Sequence, residues 1–219
     1  MFLGHLSGAK DVDGGIRTEP LLLRYYDKVY PSMSLMVAAA SLNLGPGDIS
    51  ARAGERVALG KLVLETDEFT RLYPFFYRSL DGRSPFQIDS FYDVLTGKIP
   101  ASKYAGKIVL IGPTAHGVAS LQVTPVSPRM PAVETMAHVV SSIIKNHYFV
   151  VPPWGDLAAA GAMLLIGIYL ALALPRLGAG AAAATTLGLL LVIMGAHFGL
   201  MLGAGMWVPL MGGATLLLV

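Results

Sequence analysis

The chain has 219 residues, of which 54% are hydrophobic and 14% charged, with a formal net charge of +2 and no cysteine. That balance offers no field suited to nucleic acid. The missing thiols exclude disulfide frameworks, cysteine-ligated zinc, iron–sulfur clusters and thiol nucleophiles. The averages hide a break at Trp154. From Leu157 to Val219 the only charged side chain is Arg176, whereas ordinary charge, Gly and Pro fill the residues before it. Residues 1–152 are therefore expected to form a soluble domain and 153–219 a membrane region.

In chain order, Met1–His5 has no basic n-region and no long apolar stretch, so it does not read as a signal peptide. Asp13-Gly14-Gly15 reads as a turn, across which residues 3–10 would pair with a strand at Pro20–Tyr26. Pro31–Leu44 has the apolar spacing of an amphipathic helix, with Gly45 as its stop. Val57–Glu65 adds a strand. Ser90-Phe-Tyr-Asp93 has capping-box form, and Gly97 closes that short helix. Lys107–Gly112 places four consecutive apolar residues between two glycines, which predicts a strand buried on both faces. Pro131–Asn146 predicts a helix that buries Val133, Met136, Ala137, Val140, Ile143 and Ile144, with Glu134 in its first turn and Lys145 in its last. Strand, long loop and helix make an α/β class, with four or five strands and three helices before Trp154.

Beyond the break, Leu157–Leu174 is eighteen uncharged residues. As a helix it rises about 27 Å, close to the roughly 30 Å hydrocarbon core. Pro175-Arg176 ends it. A second span covers about Ala179–Leu202, rich in the Gly and Ala that allow close helix contacts in lipid. Trp207 stands where an interfacial aromatic belongs. A third apolar run, Val208–Val219, is too short to span, and the full protein is expected to continue beyond it. Arg176 in the first short loop is balanced by Lys145 just before the first span, so charge decides little about orientation; with Pro175-Arg176 inside, the soluble domain lies outside. His197 lies in the second span, near its outer end, and is expected to sit neutral at the interface.

Most motifs dissolve on inspection. Gly97-Lys98 lacks the upstream Gly and following Ser/Thr of a phosphate loop. Asp11-x-Asp13-Gly14 opens like a calcium loop but lacks the third acid and the distal Glu, so it reads as a turn. His5, His116, His138, His147 and His197 have no metal-ligand spacing, so no metal is expected. No Gly-x-Ser-x-Gly elbow occurs. The segment Gly112-Pro113-Thr114-Ala115-His116-Gly117 follows the predicted buried strand, where α/β sheets place ligands. Thr114 and His116, with Glu134, are the candidate ligand-binding residues. No catalytic residue and no cofactor are expected.

Several strings stand in a fixed order: Gly4-His5; Asp11-x-Asp13-Gly14-x-x-Arg17-x-x-Pro20-Leu-Leu; Tyr30-Pro31-Ser32; Thr66-Asp67; Ser90-x-x-Asp93-Val-Leu-x-Gly97; Gly106-Lys-Ile-Val-Leu-Ile-Gly112-x-Thr114-Ala115; and Thr124-Pro125 leading to Met130-Pro131-x-Val133-Glu134. Together they resemble the CHASE family of bacterial extracellular sensor domains, second type. Their order and spacing run through the soluble part, and the membrane part matches the three helices that usually follow such a sensor.

The resemblance implies a partial mixed α/β sensor domain followed by transmembrane helices. It also implies an upstream membrane helix and half-domain that this sequence lacks. The position after Gly117 departs from the family habit of an acid, reading Val118-Ala119-Ser120. The implied role is a sensory input in a bacterial inner-membrane receptor. The expected partners are the membrane, a small-molecule or stress signal, a cytoplasmic effector domain in the same polypeptide and, as an option, a second copy in a homodimer. A nucleotide cyclase such as adenylate cyclase is favoured as effector, then a kinase or diguanylate cyclase. The alternatives are a membrane-anchored enzyme working at the Gly112–Gly117 loop, with Glu134 or Asp89 as acid–base partner, and a transporter subunit. The single His and Arg in the spans argue against a transport path.

Overall fold

The computed structural model describes residues 3–52, 56–79, 83–115 and 117–218, and the chain divides into two units, Met1–Tyr148 and Phe149–Val219. The first is mixed α/β. Its sheets are small, because turn chemistry returns the chain every few residues. Gly14 takes φ +79°, Asp13 accepts the N–H of Gly15 at 2.9 Å, and Arg17 bridges back to Asp11 and Asp13. This turn pairs β1 (Ala9–Lys10) with β2 (Ile16–Pro20), antiparallel, with Ala9 opposite Thr18. The strand expected at Pro20–Tyr26 does not join that hairpin. Instead β3 (Leu22–Tyr25) folds forward onto β4 (Lys28–Pro31) around a two-residue turn.

The single strand expected at Val57–Glu65 is two strands. β5 (Ile49–Arg52), β6 (Arg56–Leu59) and β7 (Leu62–Glu65) form one antiparallel sheet, with Gly60 at φ +59° making the second turn. β8 (Arg71–Pro74) returns beside β2, and β11 (Tyr148–Phe149) completes the order β1-β2-β8-β11. β9 (Leu121–Thr124) and β10 (Ser127–Pro131) form a separate hairpin.

Three α-helices accompany these strands. Helix α1 (Met33–Ser41) is capped by Ser32, whose Oγ accepts the N–H of Leu35 at 3.1 Å. It stops at Asn43, in the left-handed region at φ 57°, before Gly45 is reached. Helix α2 (Phe91–Leu95) is capped by Ser90 and closed by Gly97 at φ +75°. Helix α3 (Ala132–Lys145) ends on Asn146, left-handed at φ 52°, in the manner of an αL cap. Leu21, Leu35, Ala38, Ala39, Val57, Leu59, Leu64, Leu72, Val139 and Ile143 form the core that α1 and α3 share with the sheets.

Two expectations are corrected here. Lys107–Gly112 is not a buried strand. Among the described residues it has no ladder partner, and Ile111 is 74% exposed. The pattern of four apolar residues specifies a strand that wants neighbours on both edges, but none of the four small sheets takes it in. The second correction is the face of α3. Its buried positions are Thr135, His138, Val139, Val140, Ser142 and Ile143, so the helix is rotated away from Met136, Ala137 and Ile144 toward a stripe of polar residues.

The second unit is helical. α4 (Gly155–Ile168) runs through a π-turn at Tyr169–Ala173 and a 3₁₀ turn to Arg176, α5 covers Ala179–Gly203, and α6 covers Met211–Leu218. Gly155–Arg176 and Ala179–Gly203 are each long and apolar enough to cross a membrane. The Tyr169 hydroxyl lies 2.8 Å from both Thr185 and Thr186, joining the two long helices. His197 is buried, with Nδ1 3.0 Å from the Val208 carbonyl. Val150 donates its N–H to Gly205 at 2.8 Å and accepts that of Trp207 at 2.9 Å.

Candidate functional site

Gly112 approaches the start of α3 so closely that a Cβ there would lie 2.7 Å from Cβ of Val133. The loop therefore begins beside the first turn of the helix, as a close-packed Gly–Val contact. Thr114 is exposed and makes no hydrogen bond among the described residues. His116 lies outside the described residues. Glu134 turns elsewhere and accepts the Ser84 hydroxyl. No hydrogen bond joins Thr114 and Glu134 among the described residues.

What the structure does bring together is a polar stripe on α3. Glu134, His138 and Ser142 are spaced four apart and so share one face. Glu134 takes Ser84, His138 Nδ1 accepts the N–H of Tyr77 at 3.1 Å, and Ser142 Oγ accepts the N–H of Phe75 at 3.0 Å and donates to its carbonyl at 3.3 Å. Phe75 and Tyr77, just after β8, thus have three backbone polar groups bonded to side chains of α3. Aromatic rings seal the contact. Tyr77 stacks on His138, Phe86 meets it edge-on, and Phe75 stacks on His147 at 4.0 Å. Lys145 lies over the Tyr77 ring at 5.2 Å.

His138 is wholly buried, and burial pushes its imidazole down to about 4. With Nδ1 accepting, the ring proton sits on Nε2, which has no partner. Thr135 Oγ1, one turn earlier, is likewise buried and unpartnered. This stripe escapes sequence reading because Thr, His and Ser do not score as core residues; only the spacing 134, 138, 142 hints at it.

Acid–base chemistry finds little support here. Asp89 accepts from Lys103 and Tyr104, both at 2.8 Å, and those two contacts hold its carboxyl below the usual carboxylate range. A carboxylate so paired stays ionised at neutral pH and is poorly placed as a general acid. No group of three or more His, Asp or Glu that could hold a metal occurs among the described residues.

The strings that suggested a family also turn out to hold the fold. Gly4 lies so close to α1 that a Cβ would sit 2.7 Å from Cα of Met33. Asp67 accepts the N–H groups of Phe69 and Arg71 and the Arg71 guanidinium, closing the turn that puts Thr70 at φ 57°. The comparison with known families agrees: the CHASE2 domain matches residues 2–172, a range that reaches through α4. No curated protein and no solved structure matches the chain. CHASE2 domains are extracytoplasmic sensory domains of membrane receptors and are not catalytic. With the family model matched over most of its length, the chain belongs to the CHASE2 domain family.

Proposed function

We propose that the chain is the sensory input of a transmembrane receptor in a bacterial inner membrane. Residues 1–148 face the extracytoplasmic side and respond to a small molecule or a stress. The helices relay the response to a cytoplasmic effector in the same polypeptide, a nucleotide cyclase first, then a kinase or diguanylate cyclase. Family membership and two helices of membrane-spanning length support this reading.

The observation that carries the relay is the joint at Val150. Helix α3 ends at Lys145, β11 follows at Tyr148–Phe149, and the next residue is hydrogen-bonded to both Gly205 and Trp207. The chain entering α4 is thus tied to the chain entering α6. A shift in β11 would move the starts of α4 and α6 as one piece. A signal must bind two states with different affinity to bias such a joint.

Two measurements on the intact chain test the reading. The sequence has no cysteine, so Ser127→Cys and Thr186→Cys each give a single thiol. An impermeant maleimide applied to spheroplasts should label the first and not the second; labelling of Ser127→Cys only after lysis overturns the orientation. For the relay, a spin label on Ala204→Cys should change its mobility when Ser142→Ala loosens α3. A spectrum that ignores the second substitution overturns the relay.

A further inference from the structure

Phe75, Tyr77 and Phe86 lie against α3 with two histidines among them. His147 is exposed; it stacks on Phe75 at 4.0 Å, and its Nδ1 lies 3.4 Å from the Tyr77 hydroxyl. His138 is wholly buried, with the rings of Phe76, Tyr77 and Phe86 at 5.3, 5.7 and 4.8 Å. We propose that His138 is the trigger of an acid-operated latch: a second proton on its ring breaks the bond to Tyr77, and α3 lets go of Tyr77 and Phe86. Acidity is then the stress to which the chain responds, a clause that rests on the sensory reading above.

The bond has one polarity. The Tyr77 N–H can only donate, so Nδ1 must offer a lone pair. The ring proton then sits on Nε2, which is buried with no partner. A proton arriving from water at Nδ1 turns the acceptor into a donor and sets N–H against N–H. It also places a charge among aromatic rings, and a buried charge without a partner is costly.

No neighbouring group offsets that cost among the described residues. On α3 itself, Glu134 accepts from Ser84 one turn earlier, and Lys145 lies over the Tyr77 ring. Arg78 and Arg83, on the chain that follows β8, are exposed. The elements α1 and β9, which pack on α3, carry no titratable side chain. On β8, Arg71 and Tyr73 are both bonded to Asp67, and on β10 Arg129 is exposed. Burial is thus the cause that holds the His138 imidazole at about 4.

Once Tyr77 and Phe86 have left, the ring meets water and takes its proton near the ordinary 6.5. The closed latch is therefore fully favoured above that value. Acid below it favours the open latch, until the closed ring also titrates near 4. Across that window the open population rises on the order of a hundredfold. The latch opens between the two values, at a pH set by how firmly it is held shut.

Ser142 does not titrate, so its two bonds keep Phe75 in place and make it the hinge. Tyr77 lies three residues beyond the end of β8, and β8 lies beside β11, the strand before α4. Opening thus acts on the sheet from which the chain leaves for the helices.

Hydrogen exchange of the intact chain in nanodiscs, from pH 7 to 4 and corrected for its intrinsic pH dependence, tests the latch. The Tyr77 amide should lose protection on the order of a hundredfold, while α1, with no titratable residue, keeps its own. His138→Asn places a neutral amide oxygen where Nδ1 stood and should abolish the loss. An unchanged Tyr77 amide, an equal loss in α1, or the same loss in His138→Asn overturns the latch; the last would move the trigger to a carboxylate such as Glu134. If that variant does not fold, wild type labelled with 13C-histidine decides. The His138 ring should titrate over the window in which Tyr77 opens, and a ring that stays neutral overturns its role. If Tyr77 opens as expected but the Ala204→Cys spin label ignores the pH, the latch stands and acidity falls as the stimulus. The relay itself is judged separately by Ser142→Ala.

Discussion

His138 Nδ1 accepts the backbone N–H of Tyr77 at 3.1 Å, and that bond ties α3 to the residues that follow β8. It requires a neutral imidazole, because a protonated ring would present N–H to N–H. The unfolded side chain titrates near 6.5, while burial holds the folded one at about 4. Between those values the unfolded chain binds more protons. The stabilisation is therefore complete above about pH 6.5 and declines as the pH falls through about 4. The full effect amounts to about 3 kcal/mol. Denaturation midpoints of the intact chain in detergent, measured from pH 7 to 4, should fall more steeply for wild type than for His138→Phe. Parallel profiles would contradict the assignment.

Ser142→Ala removes the hydroxyl that bonds both Phe75 backbone groups. Those groups are part-buried, and losing those bonds costs about 1–3 kcal/mol. Denaturant titration of the isolated substitution should show that loss with an unchanged slope; a variant as stable as wild type would mean the helix does not serve as their partner.

Gly112→Ala tests the contact with Val133. Gly112 is not in the left-handed region, so a penalty must come from space alone, with the new Cβ 2.7 Å from that of Val133. Overpacking of this kind costs about 1–3 kcal/mol. Combining it with Val133→Ala should cost less than the sum of the two single changes, since neighbours couple. Strict additivity would show that the two residues do not touch.

Ile111→Lys separates the pattern of the sequence from its surroundings in the structure. In a strand buried on both faces an unpaired Lys would cost several kcal/mol. At a side chain 74% exposed the change should stay within about 0.5 kcal/mol. Thermal unfolding of the variant decides between them, and a large drop in midpoint would restore the buried strand.

The legible parts of this chain were those whose physics is local. The helix at Pro131–Asn146, the cap at Ser90 and the turn at Asp13-Gly14-Gly15 each follow from a few neighbouring residues, and all three are present. The candidate site was less legible. The candidates Thr114, His116 and Glu134 follow from a loop after a buried strand, where ligands gather, but among the described residues Lys107–Gly112 has no ladder partner that would make it such a strand. The polar stripe Glu134, His138, Ser142 is not legible along the chain because each side chain bonds a residue fifty or more positions away.

By itself, then, the sequence determined the break between a charged, turn-rich part and an uncharged helical part, the family, and the short-range devices that start and stop helices. Those depend on composition, spacing and backbone preference, which act within a turn or two. Only the tertiary structure decided which face of α3 is buried, that Lys107–Gly112 goes unpaired, and that Val150 is fastened to Gly205 and Trp207. Each of these depends on which distant backbone groups and side chains come within hydrogen-bonding or packing distance, and a periodicity read along the chain carries no information about that.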